Sequence, residues 1–179
     1  MDSPSAKARN TLIHVLQAAY SGELAAAHAY AGHWRSVSRP EERERIRAIE
    51  LEELHHRELV GELLAQLGAG PSARREQVFR WIGRCLGPLC SVSGWLAPMY
   101  GAGFLERGNI VEYEIAARLA EECGHPEFVD CLLEMAEVEW EHERYFRERV
   151  LSHRFARWIP LWPAPPSKSE IRARYRLAA

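Results

Sequence analysis

Two helical stripes in this chain are apolar at both ends and carry a carboxylate and an imidazole in the middle. The first is Ile46, Ile49, Glu53, His56, Val60, Leu63 and Leu67, and the second is Val129, Leu132, Met135, Glu139, His142, Phe146 and Val150. Residues three and four apart share a helix face, so each Glu-x-x-His pair falls inside a face that otherwise forms core. An unpartnered buried carboxylate is costly, and such groups are normally paired or bound to a metal. The pattern therefore confines the chain to helices packed around a polar centre.

Two further helices are expected to bring acids to the same interior. A first helix over Thr11–Trp34, after Asn10 as N-cap, has the stripe Leu12, Leu16, Ala19, Glu23, Ala26 or Ala27, Tyr30 and Trp34. Pro40 suits the first turn of helix two, which runs to Leu67 and ends at Gly68-Ala-Gly70-Pro71. Helix three is read over Phe104–Cys123 and helix four over Pro126–Leu151. On helix three, Glu112 shares a face with Leu105, Gly108, Ile115 and Leu119 and is placed inside. Glu114 lies with Arg107, Val111, Arg118 and Glu121, a solvated face. The order is an acid helix, then a Glu-x-x-His helix, twice over, with the acids 30 residues apart in the first half and 27 in the second.

Four carboxylates and two imidazoles, Glu23, Glu53, His56, Glu112, Glu139 and His142, match the ligand set of a dinuclear metal site in a helix bundle. Carboxylates bridge hard cations and neutralise their charge, and each imidazole fixes one ion. Tyr30, two turns after Glu23, is placed on the same face, either hydrogen-bonding near the metals or packing. His55 and the acids at 50, 52, 137 and 141 fall off the stripes.

Between the two halves lie 21 uncharged residues, Cys85–Leu105. The length suits a membrane span, but Gly87, Pro88, Gly94, Pro98, Gly101 and Gly103 argue for a broken apolar hairpin, packed inside or resting on a bilayer surface. Residues 11–151 are thus read as one bundle with the insert at 85–105, and residues 152–179 as a Pro/Trp-rich strap and a solvated basic tail. The net charge of −2 gives no global attraction to nucleic acid, and none is expected as a partner. Four cysteines without a C-x-x-C pair and a start without the apolar core of a signal peptide predict a cytoplasmic location, with peripheral contact to the inner membrane face through 85–105.

The stretch Ser21–His33, the Glu53-Leu-His-His56 pair, the entry Gly103-Phe-Leu-Glu-Arg-Gly-Asn-Ile-Val-Glu112 and Glu139-Trp-Glu-His142 resemble the ligand helices of the ferritin-like superfamily, and within it the demethoxyubiquinone hydroxylases of ubiquinone biosynthesis. The resemblance implies an all-α, ferritin-like four-helix bundle and a di-iron, oxygen-activating monooxygenase. Its expected partners are an apolar or aromatic, quinone-like substrate, dioxygen or peroxide, and an electron donor. A homo-oligomer is compatible with it. In that family a Tyr follows the third-helix Glu by seven residues, where Leu119 stands here relative to Glu112. Alternatives within the superfamily are a rubrerythrin-like peroxidase, a manganese catalase, a non-enzymatic iron-binding protein and a tRNA hydroxylase. Rubrerythrins carry an extra Glu three residues after the helix-three ligand, where Ile115 stands. The ligand set by itself does not choose iron over manganese.

Overall fold

The computed structural model describes residues 3–178, which form six α-helices and no strand. They are α1 (Pro4–Ser36), α2 (Pro40–Gln66), α3 (Ala73–Val92), α4 (Leu96–Glu122), α5 (Val129–Leu151) and α6 (Lys168–Ala178), with single 3-10 turns at Pro126–Phe128 and Ala156–Trp158. The all-α expectation holds. Two compact units emerge, Ile13–Pro98 and Met1–Leu12 with Met99–Ala179.

In the unit Ile13–Pro98, α1 buries Leu16, Ala19, Glu23, Ala27, Tyr30 and His33, and α2 buries Ile46, Ile49, Glu53, His56, Val60, Leu63 and Leu64. These follow the expected stripes, with His33 added and Trp34 only half-buried. Polar ties flank them. Trp34 Nε1 donates to Glu50 at 2.6 Å, and Trp95 Nε1 donates to Glu42 at 2.8 Å. Arg57 lies over the Tyr20 ring at 3.6 Å and forks onto both oxygens of Glu76 at 3.1 and 2.5 Å. Burial works to raise the pKa of Glu76, but hydrogen bonds from Arg57 and Ser21 hold it below the usual carboxylate range.

α3 corrects the expectation for the middle of the chain. The basic residues 72–84, which carried no assigned helix, and the first part of the uncharged run form one 20-residue helix. Only Gly94, at φ 78°, breaks the run; Pro88 lies within α3 and α4 starts at Leu96 rather than Phe104. Two of the glycines serve contact rather than breakage. A Cβ on Gly83 would meet the Ala25 carbonyl oxygen at 2.6 Å, and one on Gly32 would meet the Gly87 carbonyl oxygen at 2.2 Å. α1 and α3 therefore touch backbone to backbone, which no side chain at these positions would allow. The opposite face of α3 exposes Val78, Trp81, Ile82, Leu86, Leu89 and Val92. No helix among the described residues is long and apolar enough to cross a membrane.

In the other unit, α4 buries Met99, Gly103, Glu106, Ile110, Tyr113, Ala117 and Ala120, and α5 buries Leu132, Met135, Ala136, Glu139, His142, Phe146 and Val150. The proline-rich segment lies extended along this pair. Tyr100 donates to the Pro160 carbonyl at 2.8 Å, Trp140 to the Pro166 carbonyl at 2.7 Å, and Arg147 reaches the Trp162 and Pro163 carbonyls, each at 3.2 Å. α6 is docked, not solvated as the sequence suggested. Ile171 is fully buried; Arg172 pairs with Glu137 and Asp130, Arg174 with Glu114, and Tyr175 donates to Glu121. Two of these acids, Glu114 and Glu121, lie on the face read as solvated; the basic tail half-buries Glu114 and hydrogen-bonds the exposed Glu121.

Candidate metal centre

Each unit assembles a triad of buried donors. In the first, α1 supplies Glu23 and α2 supplies Glu53 and His56, with one donor atom from each lying within 4.8 Å of the others. The residues are 3%, 0% and 3% exposed. Glu53 and His56 share a face because they are three residues apart on α2, and Glu23 sits on the buried stripe of α1. In the second, α4 supplies Glu106 and α5 supplies Glu139 and His142, again with donor atoms within 4.8 Å of one another. These three are at most 1% exposed, and His142 Nδ1 lies 3.6 Å from Glu139 Oε2.

The donor set tests well for a cation. Two ionised carboxylates about 5 Å apart repel by about 3 kcal/mol even at an effective dielectric of about 20, and burial adds desolvation. Two carboxylates and one imidazole per triad are hard and borderline donors that suit iron or manganese. The residues present fit a bound metal.

Five of the six sequence-derived ligands, Glu23, Glu53, His56, Glu139 and His142, are in these triads. Glu112 is not. It is half-buried, and the inner position on α4 belongs to Glu106. The proposed stripe through Leu105, Glu112 and Ile115 faces outward, with Leu105 58% and Ile115 47% exposed. The stripe that packs is Met99, Gly103, Glu106, Ile110, Tyr113, Ala117 and Ala120. Its small residues hid it, since alanine and glycine mark a close helix contact but score weakly as core. Counted from Glu106, the residue seven positions on is Tyr113, 1% exposed, in place of the mismatch at Leu119. The residue three positions on is Asn109, not the glutamate that a rubrerythrin would place there.

Around the first triad, Tyr30 is 5% exposed on the Glu23 face of α1 and stacks on His33, with ring centroids 6.3 Å apart. Burial lowers the pKa of His33 to about 4, so it stays neutral at physiological pH. Beside the second triad, the Asn109 side-chain amide donates to Glu106 Oε2 at 2.9 Å and lies 3.4 Å from Glu139 Oε2.

The model of the family described as ubiquinone biosynthesis protein COQ7 matches residues 10–107. Comparison with curated proteins and with solved structures gives no significant match. The matched span contains Glu23, Glu53, His56 and Glu106, which is the whole first triad and the acid of α4. The chain belongs to the COQ7 family of ubiquinone biosynthesis proteins, the demethoxyubiquinone hydroxylases that its acid-bearing helices resemble.

Proposed function

We propose that this chain is a di-iron, oxygen-activating monooxygenase that hydroxylates an apolar, quinone-like substrate, with each triad as the ligand set of one iron. One observation carries the reading. The chain builds the same buried set twice, an acid on one helix and a Glu-x-x-His pair on the next, within a family of ubiquinone biosynthesis. Glu23, Glu53 and His56 would hold one iron and Glu106, Glu139 and His142 the other. When bound, the iron pair supplies the redox chemistry that activates dioxygen, at the expense of an external electron donor.

The protein's own part is to place and to exclude. Three helix turns of buried side chains flank the second triad, with Met99, Ile110, Tyr113, Met135 and Phe146 each at most 1% exposed, so bulk water is kept from its carboxylates. Each Glu-x-x-His pair fixes an imidazole and a carboxylate on one helix turn, which sets their separation before any ion arrives. Tyr30, buried on the Glu23 stripe, is the polar side chain nearest in register to orient a substrate there. The exposed apolar face of α3, from Val78 to Val92, with Arg74, Arg75, Arg80 and Arg84 along the same helix, suits peripheral contact with an anionic bilayer, where a lipid-soluble substrate resides.

The test is metal content and the optical spectrum of the purified protein beside Glu139→Ala, followed by turnover of quinone-like substrates. About two irons per chain, as a dinuclear bundle site requires, with iron-dependent absorption lost in the variant, are the expected result. Two manganese ions with rapid peroxide dismutation would move the assignment to a catalase. A folded protein that takes up no metal would overturn the dinuclear reading.

A further inference from the structure

Asparagine in the middle of a helix is a poor choice on propensity, because its side chain competes for backbone hydrogen bonds. Asn109 nevertheless sits in the central turns of α4, three residues after Glu106 and so on the same face. Its amide nitrogen is 2.9 Å from Glu106 Oε2 and 3.4 Å from Glu139 Oε2, on two different helices. The orientation follows from chemistry. Ionised carboxylates only accept, so the side of the amide that faces both must be the NH2 group, which has two hydrogens to give.

We infer that Asn109 is a positioning residue that holds the carboxylates of Glu106 and Glu139 at metal-binding separation. A glutamate or aspartate at this position would add a third acid to a face that already concentrates two. The amide instead supplies donors without charge. It lowers the cost of holding two carboxylates close in a buried place, and it fixes one oxygen of each so that the other is presented to an ion. The role rests on the metal-centre reading of Glu106, Glu139 and His142, and the experiment separates the two.

The experiment uses the full chain and Co(II) as probe, since its visible bands report ligand geometry. Wild type, Asn109→Ala and Asn109→Asp are compared by metal-free thermal melting, by Co(II) titration and by the position of the bands. Removal of the amide in Asn109→Ala is expected to weaken Co(II) binding by about tenfold, the usual cost of losing a ligand's hydrogen-bonding partner, and to shift the bands. Asn109→Asp matches the native shape but turns a donor into a third acid. It is expected to melt below Asn109→Ala in the metal-free state, and to gain more than wild type on adding Co(II). A mere packing role gives the reverse order, with the isosteric aspartate tolerated and the truncation damaging. That order, or Co(II) binding by Asn109→Ala within twofold of wild type, would overturn the inference. Should Asn109→Asp not be recovered folded, the Asn109→Ala titration decides by the same twofold and tenfold marks. Wild type that binds no Co(II) would overturn the metal-centre reading itself and leave Asn109 nothing to position.

Discussion

Trp162 donates its indole N–H to Glu143 Oε1 at 2.7 Å, tying the proline-rich strap to the residue that directly follows His142. Arg147 completes the knot, pairing with the same oxygen at 2.6 Å and lying over the indole at 5.0 Å. The ring itself fills the notch that Gly103 leaves on α4, where a Cβ would meet it at 2.5 Å, and Tyr100 meets it edge-on at 5.0 Å. Gly103 is one turn before Glu106, so the strap seals the α4–α5 pair one turn from the second triad.

Trp162→Ala should therefore cost about 3–5 kcal/mol, the range for emptying a buried tryptophan site, read as a shift in urea midpoint. Trp162→Phe keeps an aromatic ring in the site but loses the indole N–H and part of the ring volume. It should cost about 1–3 kcal/mol, chiefly from leaving the Glu143 carboxylate with one donor fewer in a buried place. Equal losses in the two variants would show that the Glu143 hydrogen bond, not packing, anchors the strap, and an unchanged midpoint in Trp162→Phe would show the reverse.

The choice between Glu106 and Glu112 has an equally direct check. Glu106→Gln keeps shape and removes charge from the second triad, and metal affinity should fall by about tenfold or more. Glu112→Gln, on a half-buried position outside the triads, should bind metal like wild type. Isothermal titration with Mn(II) on both variants decides, and the opposite pattern would return the ligand to Glu112.

Why five residues of the triads were legible in the sequence and Glu106 was not comes down to contrast. Glu53 and Glu139 interrupt stripes of large apolar side chains and carry a histidine three residues on, and Glu23 falls on the stripe that runs from Leu16 to Tyr30, so each acid stands out against its face. The α4 stripe mixes Gly103, Ala117 and Ala120 with Met99, Ile110 and Tyr113, and the space at Gly103 is taken by the Trp162 ring from the distant strap, so its apolar pattern around Glu106 is broken. Leu105 and Ile115 looked more like core and drew the assignment to their own side. α3 was missed for a related reason. Gly87 and Pro88 read as helix breakers, although Gly87 and the preceding Gly83 are where α1 and α3 come into backbone contact. The docking of α6 depended on partners 35–60 residues away, such as Glu137 for Arg172 and Glu114 for Arg174, which no local pattern reveals.

That backbone contact predicts an unusual intolerance. In an ordinary helix interior, Gly→Ala is worth about 1 kcal/mol in favour of folding. At Gly32 the added carbon would sit 2.2 Å from the Gly87 carbonyl oxygen, so α1 and α3 must separate. Gly32→Ala should lose about 3 kcal/mol net despite the propensity gain, as overpacking against backbone does. Gly22→Ala, on the same helix with nothing near its Cβ, should be neutral or stabilising. Paired thermal melts test this, and parallel behaviour of the two variants would remove the close-packing account.

The buried imidazole of His33 makes stability depend on pH in a definite window. Burial lowers its folded pKa from 6.5 to about 4, so between those values the unfolded chain binds the proton and the folded chain resists it. Stability is then fully present above pH 6.5 and declines as pH falls toward 4, below which both states are protonated and this contribution is flat. A shift of this size corresponds to about 3 kcal/mol between the two plateaus. The carboxylates of the triads titrate in the same acid range, so the diagnostic quantity is a difference between variants. His33→Gln removes the titrating group and keeps a polar side chain of similar length. It should lose part of the acid sensitivity between pH 6.5 and 4, while its stability at pH 8 differs from wild type by a constant that reflects packing alone. Urea denaturation at half-unit steps of pH reads this directly. Parallel curves for wild type and His33→Gln would mean that His33 is protonated inside the folded protein, and that burial has not displaced its titration.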